Sequence, residues 1–355
     1  MFYPELLLSG RYKLVQPISP GGMSEVWLAQ DIKLERAVAI KTINLKMLEG
    51  ELDAIAVFED EAKIGASLLG HPNILSILDF GKHNEGPLEY SYIVMEYVQG
   101  YDVDKFIRKF KPILDSQTYY FIALFIAWQS VNAIDYAHKK DIQHRDIKPL
   151  NIFISNYGIT KVGDFGLARF VDAATRNHTV NNFTSPPYCA PEQWKGERTN
   201  LQTDVYQLGC TLYHLFTGQT IFNKTRVALM FAHLQETPIP PIEINSSISQ
   251  VLSDIIMNLI NKKPSERTDL WVINDALANE LQHTYKLTIL SDKNDVDRIG
   301  RICKITDFPD EDLIEDGEAT VIFPDFNEVL SECIELIIND IHTFKIVVAE
   351  KISVQ

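Results

Sequence analysis

The sequence predicts an α+β fold in which a small β-rich lobe precedes a larger α-helical lobe, with a small α/β appendage at the C-terminus. Roughly the first ninety residues carry β-branched and aromatic stretches bounded by Gly, Pro or charge, a pattern typical of strands. The middle of the chain carries long apolar helical patterns, and the composition turns acidic after residue 285. At 355 residues the chain is long enough for two core-forming lobes and an appendage.

The first lobe is predicted to span residues 1–98 and to end in a hinge within the stretch MEYVQGYD. One helix is expected over residues 52–70, because apolar residues recur there at helical spacing and the breakers GHPN follow. The predicted strands of this lobe are YKLVQPI, SEVWLAQD, RAVAIKTI, ILSILDFG and YSYIVMEYV.

The second lobe is predicted to span residues 99–285. The stretch SQTYYFIALFIAWQSVNAIDYAH is apolar on most faces of a helix, which predicts a buried helix. TDVYQLGCTLYHLFTG predicts another helix that a Gly-containing turn closes. Shorter helices are expected at about 225–235, 248–260 and 270–283.

Residues 286–355 are predicted to form an acidic linker followed by an accessory strand, helix and strand. This part holds 16 acidic against 7 basic residues, and TVIF, DFNEVLSECIELIINDIH and TFKIVVAEKISV follow its most acidic stretch. Asp325 and Glu328 have the spacing of a capping box at the helix start. The helix has one apolar stripe: Val329, Leu330, Cys333, Ile334, Ile337, Ile338 and Ile341. That stripe predicts burial on the body of the chain, on a second copy through self-association, or on a regulatory partner.

The overall charge and the cysteines exclude several classes of function. The net charge of −15 provides no basic field for nucleic acid or an anionic membrane. The four cysteines are far apart and form no C-x-x-C pair, which favours reduced thiols in the cytoplasm over disulfides or a structural zinc site. The N-terminal stretch lacks the basic region of a signal peptide, and no apolar run approaches the roughly 20 residues that span a membrane.

A polar cluster interrupts two apolar runs in the stretch QHRDIKPLNIF. The following IFIS-NYG-ITKV predicts a hairpin that returns the chain to the same edge, where Asp164 comes next. The hairpin therefore brings Asp164 close to Asp146 and Asn151, and such an oxygen-rich site suits Mg²⁺. Capping and turn chemistry of a loop rich in Asp and Asn is the alternative interpretation.

Two further features lie upstream. ISPGGMSEVWLAQ joins two strands through a turn whose backbone N–H groups could cover phosphates. On its own this stretch is better explained as a plain connection between two strands. Lys41 ends the apolar strand VAIK, where an unpaired ammonium would be costly. Glu61 on the following helix is the expected partner of Lys41, with Glu59 and Asp60 as alternatives if the helical phase differs.

These motifs resemble those of the eukaryotic-type (Hanks-type) serine/threonine protein kinases. The stretches HPNILSILDFG, YIVMEYVQG and YCAPEQW are most similar to the bacterial members of that family. The glycine-rich turn, VAIK, helix Glu, HRDIKPLN, DFG and APE occur in the family's order, and the resemblance covers Tyr12 to Leu281. It implies the bilobal protein-kinase fold and a non-specific serine/threonine protein kinase that uses ATP with Mg²⁺, or Mn²⁺, to phosphorylate Ser and Thr hydroxyls of proteins.

The resemblance also implies roles for individual residues. Asp146 would take the proton of the substrate hydroxyl, Lys148 would steady the transferring phosphoryl group, and Lys41 would hold the ATP phosphates. Asn151 and Asp164 would bind the metal. The implied nucleotide-binding residues are Ile18, Gly21, Gly22, Val26, Ala39, Lys41, Glu61, Met95 as gatekeeper, the backbones of Glu96 and Val98, and Asp102 at the ribose.

Three structural roles are also implied by the family. His144 is expected to be structural rather than a base. Glu192 is expected to pair with Arg267, and Asp204 to hold the backbone of the catalytic loop.

The sequence departs from the family pattern at two places. Ser19 and Ser24 replace two glycines of the glycine-rich turn, which predicts an altered grip on ATP, because serine is less permissive than glycine. Thr184 and Ser185 stand where Gly-Thr is usual, and Ser185 still offers a hydroxyl near Asp146.

The arginine before the catalytic aspartate suggests regulation by phosphorylation. Arg145 would attract an anion, and the candidate phosphorylation sites are Thr175, Thr179, Thr184 and Ser185.

Two other functions are considered. A pseudokinase that binds partners through the cleft or the tail would explain the altered glycine-rich turn, but Lys41, Asp146, Asn151 and Asp164 are all present. A small-molecule kinase is opposed by the APE segment, which in the family shapes a platform for polypeptide substrates.

Overall fold

The computed structural model describes residues 2–19, 24–43, 53–85, 88–165, 185–281, 284–290, 318–323 and 344–349. Gly21, Gly22, Thr175, Thr179, Thr184 and the apolar stripe of the tail lie outside these residues.

The N-terminal lobe is an antiparallel sheet with one helix, as predicted. Its strands are β1 (Leu7–Leu8), β2 (Tyr12–Ser19), β3 (Ser24–Asp31), β4 (Arg36–Ile43), β5 (Ile77–Glu85) and β6 (Leu88–Glu96), and its helix is α1 (Asp53–Ser67). The strand order is β1-β2-β3-β4-β6-β5. The predicted strands and helix are confirmed to within a few residues at their ends, whereas β1 was not predicted.

The C-terminal lobe is mainly helical. Its helices are α2 (Val103–Phe110), α3 (Ser116–His138), α4 (Pro191–Trp194), α5 (Leu201–Thr217), α6 (Arg226–Gln235), α7 (Pro241–Ile244), α8 (Gln250–Leu259) and α9 (Leu270–Leu281). α3 has the predicted bounds and is buried on most of its surface, with the Asp115 carboxylate capping its N-terminus. α5 ends at Gly218, whose φ of +81° suits the left-handed C-cap that glycine adopts without strain.

A short three-stranded sheet joins the hinge to the catalytic loop. It consists of β7 (Gly100–Asp102), β8 (Ile152–Ser155) and β9 (Thr160–Val162) in the order β7-β8-β9. The predicted hairpin is confirmed, because Ile152 pairs with Val162 and Ile154 with Thr160 around the Asn-Tyr-Gly turn. β7 was not predicted, since three residues are too few to show a period.

Gly100 lets β7 approach β8 closely. A Cβ atom at Gly100 would lie 1.9 Å from the carbonyl oxygen of Ile154, a backbone atom that no side-chain rotation can move away. Gly100→Ala should therefore push β7 off β8 and lower the free energy of unfolding by about 1–3 kcal/mol, the usual effect of overpacking. Chemical denaturation of both chains measures this difference, and an unchanged midpoint would contradict the close approach.

The described parts of the tail form a separate antiparallel sheet. Its strands are β10 (Thr284–Leu290), β11 (Glu318–Phe323) and β12 (Phe344–Ala349), with β10 in the centre. β11 and β12 match the two predicted strands, and β12 contacts α3 of the C-terminal lobe. β10 was not predicted; it spans the expected boundary at residue 285, and that boundary stays a prediction. The helix predicted over residues 325–342 lies outside the described residues.

Candidate active site

Lys41 joins the two lobes through a pair of carboxylates. It lies on β4, opposite Val26 of β3 and Ile93 of β6. Its Nζ donates to Glu61 Oε1 on α1 at 2.8 Å and to Asp164 Oδ1 at 2.8 Å. The predicted Lys41–Glu61 pair is confirmed.

The two alternative partners of Lys41 are engaged elsewhere on the same lobe. Glu59 pairs with Lys82 at 3.6 Å, and Asp60 pairs with Lys63 at 3.2 Å. Glu61 was therefore the correct assignment of the helical phase.

Burial and the neighbouring charges shift the pKa values of Lys41, Glu61 and Asp164 in opposite directions. Burial raises the pKa of Glu61 to about 6, because the Lys41 ammonium only partly offsets the loss of water. Burial alone would also raise the pKa of Asp164, but the charge and hydrogen bond of Lys41 outweigh it and hold that pKa below its usual range. The pKa of Lys41 is raised, since its two carboxylates outweigh burial. Near neutral pH the trio is therefore one ammonium between two carboxylates.

Asp146 is held by two side chains of its own loop. Lys148 Nζ donates to Asp146 Oδ2 at 2.6 Å and to Ser185 Oγ at 2.7 Å. Asn151 Nδ2 donates to the backbone oxygen of Asp146 at 2.8 Å and to Asp146 Oδ2 at 3.2 Å. Within the part of the chain that the structure describes, the second carboxylate oxygen, Oδ1, has no hydrogen-bond partner and could accept a proton. Lys148 binds both Asp146 and Ser185, so the Ser185 hydroxyl lies near Asp146 as expected.

Side chains of α5 hold the backbone of the catalytic loop through hydrogen bonds. Asp204 accepts from His144 N at 2.8 Å and from Arg145 N at 2.6 Å, as predicted. Gln207, one helical turn later, accepts from Ile147 N at 3.0 Å and donates to Arg145 O at 2.8 Å. These bonds hold Arg145 at a φ of +69°, a left-handed conformation that costs a non-glycine residue about 1–3 kcal/mol.

Gln207 is the supporting residue that the sequence interpretation missed. It follows Asp204 by three residues in a predicted helix, and residues at that spacing share a helical face. The signal was present, but a glutamine on a mostly apolar helix has no chemistry that distinguishes it from an ordinary surface residue.

His144 has the predicted structural role. Its side chain is fully buried, and Nε2 lies 2.8 Å from the carbonyl oxygen of Gly163. Nδ1 accepts from Asp146 N at 3.3 Å, and the ring packs on Phe165 with centroids 4.6 Å apart. The imidazole thus ties the catalytic loop to the start of the DFG motif.

Asn151 and Asp164 have the oxygen chemistry that a divalent cation needs. The Gly163 N–H donates to the backbone carbonyl oxygen of Asn151 at 2.9 Å. This bond brings the segment that contains Asn151 next to the segment that contains Asp164, as the hairpin predicts. Asn151 Nδ2 donates to Asp146, and Lys41 binds Asp164 Oδ1. Among the described residues, Asn151 Oδ1 and Asp164 Oδ2 have no hydrogen-bond partner, so each could bind a metal. Within the described residues, no group of three or more His, Cys, Asp or Glu side chains could hold a metal ion. One carboxylate with substrate phosphates is a usual Mg²⁺ arrangement, so these residues fit that metal.

Three of the residues expected around the adenine base, on β3, β4 and β6, belong to one hydrophobic cluster. Ala39 pairs with Met95 across the sheet, both are buried, and Val26 packs on the same cluster. Ile18 is 42% exposed at the end of β2, and Val98 is half-buried in the hinge.

Glu96 and Asp102 have structural partners that limit how they could bind a nucleotide. The Glu96 N–H donates to Ser76 O at 3.0 Å, so a hydrogen bond from the Glu96 backbone to a base would have to use its carbonyl. Asp102 accepts from Lys105 N at 2.7 Å as the N-cap of α2. Its contact with a ribose stays a prediction.

Glu192 and Arg267 form the expected buried pair. Arg267 Nη1 and Nη2 donate to the two carboxylate oxygens of Glu192 at 2.7 and 2.8 Å. Thr203 Oγ1 adds a third donor to Glu192 at 2.8 Å. Burial would raise the pKa of Glu192, but the guanidinium holds that pKa below its usual range.

Comparison with known proteins identifies the family of this chain. A family model described as the protein kinase domain matches residues 12–285. The chain belongs to the protein kinase family. Kinases of this family use ATP and a divalent cation.

The curated relatives of this kinase chain include bacterial proteins named as serine/threonine-protein kinases. One is a probable kinase of Clostridium perfringens, 38% identical over 262 residues that make up 74% of this chain and 37% of that protein. PrkC of Bacillus subtilis is 39% identical over 73% of this chain and 39% of its own length. PknB of Mycobacterium leprae is 36% identical over 73% of this chain and 41% of its own length. This kinase chain thus matches about two fifths of the length of these relatives.

A solved structure supports the fold. The crystal structure of the Mycobacterium tuberculosis PknI kinase domain matches with a TM-score of 0.59 and 23% sequence identity, over 79% of this chain and 99% of that one. The kinase has no helix, in the part of the chain that the structure describes, with the length and apolar character needed to cross a membrane.

Proposed function

We propose that this chain is an active serine/threonine protein kinase that transfers the γ-phosphate of ATP to Ser or Thr hydroxyls of proteins. The observation that carries the proposal is the bridge from Lys41 to both Glu61 and Asp164, which ties the N-terminal lobe to the segment that follows the hairpin. Asn151 connects Asp146 to that segment, because its Nδ2 donates to Asp146 and its backbone oxygen accepts from the N–H of the residue before Asp164. Lys148 also donates to the Asp146 carboxylate. An assembled site of this kind supports catalysis over a purely scaffolding role.

Each side chain has a defined task in the proposed reaction. Lys41 neutralises charge on the ATP phosphates. Asp146 accepts the proton of the substrate hydroxyl while the oxygen of that hydroxyl bonds to the γ-phosphorus. The bond between the γ-phosphorus and the bridging oxygen breaks, and ADP leaves. Mg²⁺, or Mn²⁺, held by Asn151 and Asp164 would neutralise phosphate charge in the cleft. Lys148 and Ser185 position Asp146 and the substrate.

The proposed substrates are proteins, and the proposed location is the cytoplasm. Cys189 and Cys210 are free and buried within the described residues, which fits a reducing compartment. Burial raises the pKa of the Cys210 thiol to about 12, so this thiol is inert at neutral pH.

Phosphate transfer to a protein is the direct test. The full chain incubated with Mg-ATP and a generic basic protein should yield phosphoserine or phosphothreonine on that protein, detected by mass spectrometry. The absence of phosphorylated product under conditions in which Mg-ATP binding is measurable would favour the pseudokinase instead.

Autophosphorylation is expected between Thr175 and Ser185. Arg145 precedes Asp146 in the sequence and is half-buried, and a phosphate on one of these hydroxyls could form charge-assisted hydrogen bonds with its guanidinium. After incubation with Mg-ATP, intact-mass and peptide mapping should find phosphate there. An unmodified segment in a chain that phosphorylates other proteins would contradict this expectation.

A further inference from the structure

One side chain of α5 bonds to the backbone on both sides of the proposed base, Asp146. Gln207 Oε1 accepts from Ile147 N at 3.0 Å, and Gln207 Nε2 donates to Arg145 O at 2.8 Å. These two backbone groups belong to the two peptide units that flank the Cα atom of Asp146. Because each peptide unit is planar, holding both units fixes the two backbone dihedral angles of Asp146 and the direction in which its side chain leaves the backbone.

The other hydrogen of the same amide reaches α4, the helix of the APE segment. Gln207 Nε2 donates to Gln193 Oε1 at 3.0 Å, and that oxygen also accepts from Ala190 N at 2.9 Å. The APE segment is expected to shape the platform for a polypeptide substrate, and the buried pair of Glu192 with Arg267 holds it in place. The amide of Gln207 therefore connects the substrate platform with the catalytic loop.

A primary amide is the chemical group that these three bonds need at residue 207. Gln207 is only 3% exposed, and its two amide hydrogens and its oxygen all have partners. A carboxylate has no hydrogen to donate, and an alkyl side chain has neither a donor nor an acceptor. Asp204, one turn earlier on α5, binds two backbone N–H groups that precede Asp146, so it leaves the peptide unit after Asp146 to Gln207.

We propose that Gln207 is a positioning residue that couples the substrate platform to the base. Through the backbone it holds the carboxylate of Asp146 in the direction of the substrate hydroxyl, and through Gln193 it makes that direction depend on the position of α4. Lys148 and Asn151 bind the carboxylate itself, whereas the backbone decides from which point the carboxylate extends. The inference rests on the proposed kinase activity.

Gln207→Met tests the positioning. Methionine nearly fills the space of glutamine but makes none of the three hydrogen bonds, so the carboxylate of Asp146 should shift. A misplacement of about 1 Å can lower a rate about 10²-fold, so we expect kcat to fall about 10–10²-fold while the dissociation constant for Mg-ATP stays within about twofold. The nucleotide should still bind, because the contacts among Lys41, Glu61 and Asp164 do not involve Gln207.

Gln193→Met tests the coupling to α4. It should lower kcat, and it should have little further effect in a chain that already carries Gln207→Met, because the bond between the two side chains is then absent. No loss in the single variant, or losses that multiply in the double variant, would mean that α4 acts independently of Gln207. Gln250→Met is the control at an exposed glutamine of α8, and it should phosphorylate at the rate of the unmodified chain.

Hydrogen exchange of the Ile147 amide supplies a readout that does not depend on phosphate transfer. This amide donates to Gln207, so it should exchange about tenfold faster or more in Gln207→Met than in the unmodified chain. Unchanged exchange would overturn the proposal. Faster exchange with an unchanged kcat would also overturn it, because the loop would then loosen without displacing the base.

Two further outcomes separate this proposal from the proposed function and from a failure to fold. An unmodified chain that transfers no phosphate would contradict the kinase function, and the exchange rates would still decide whether Gln207 holds the backbone around Asp146. If Gln207→Met does not fold, Gln193→Met, at a half-buried side chain, decides instead. It should speed exchange at Ile147 and lower kcat, and the absence of both effects would overturn the coupling.

Discussion

Asp146→Asn should lower the rate of phosphate transfer about 10²–10⁴-fold, the usual contribution of a positioned acid or base. The amide has nearly the shape of the carboxylate and can still accept from Lys148 and Asn151, so the loop should keep its form. It cannot take the proton of the substrate hydroxyl. We therefore expect kcat to fall while the dissociation constant for Mg-ATP changes little, which steady-state kinetics and calorimetric titration would measure.

Asp141→Asn is the matched control for this substitution. Asp141 is exposed, lies five residues before Asp146 and has a φ of +56°, a conformation that Asn tolerates as well as Asp. This variant should phosphorylate at the rate of the unmodified chain. Equal rates for Asp146→Asn and the unmodified chain would remove the proposed base, and loss of Mg-ATP binding in Asp146→Asn would assign Asp146 to nucleotide binding instead.

The catalytic half of the site could be predicted because its parts are local in the sequence. Asp146, Asn151 and Asp164 are joined by one hairpin whose Asn-Tyr-Gly turn is recognisable without a structure. Glu61 could be predicted as the partner of Lys41 because an unpaired buried ammonium is costly. That prediction needs only the phase of the one helix that carries Glu61. A polar group whose partner is close in the sequence can therefore be matched to that partner from the sequence pattern alone.

The strands that the sequence did not predict form through contacts with residues that are distant in the sequence. β1 and β7 are two and three residues long and exist because neighbouring strands supply their hydrogen bonds. β10 has the strand-like sequence TYKLTIL, but its central position depends on two partners that follow it by about thirty and sixty residues. The role of Asp102 as a helix cap was not predicted either, because capping and the predicted ribose contact both suit a carboxylate before a helix.

Lys41→Met should abolish most phosphate transfer and should destabilise the fold by an amount that grows with pH. Methionine fills the space of the aliphatic stem but leaves Glu61 and Asp164 without their cation. Breaking a buried ion pair by removing one partner typically costs about 3–5 kcal/mol. Loss of one such charge contact in a transition state typically lowers kcat about 10²–10³-fold.

The pH dependence of Lys41→Met follows from the direction of the pKa shifts. The pKa of Glu61 is already raised to about 6 in the folded state by burial, so the folded state binds that proton more tightly than the unfolded state, and stability falls as pH rises through this interval. Without Lys41 the pKa of Glu61 in the folded state rises further, so the pH interval over which stability falls extends into the neutral range. Asp164, whose pKa Lys41 holds below its usual range, loses its stabilising partner at the same time. The deficit relative to the unmodified chain should therefore be small near pH 5 and large near pH 8.

Urea denaturation at pH 5 and pH 8 measures this deficit, and two further variants identify its origin. Lys63→Met makes the same replacement at a lysine whose side chain is 73% exposed and paired only at the surface, so its stability should change little at either pH. Adding Glu61→Gln to Lys41→Met removes the carboxyl that titrates, so the deficit should then depend less on pH. A deficit in Lys41→Met that is equal at both pH values would mean that Glu61 does not carry the charge that Lys41 neutralises.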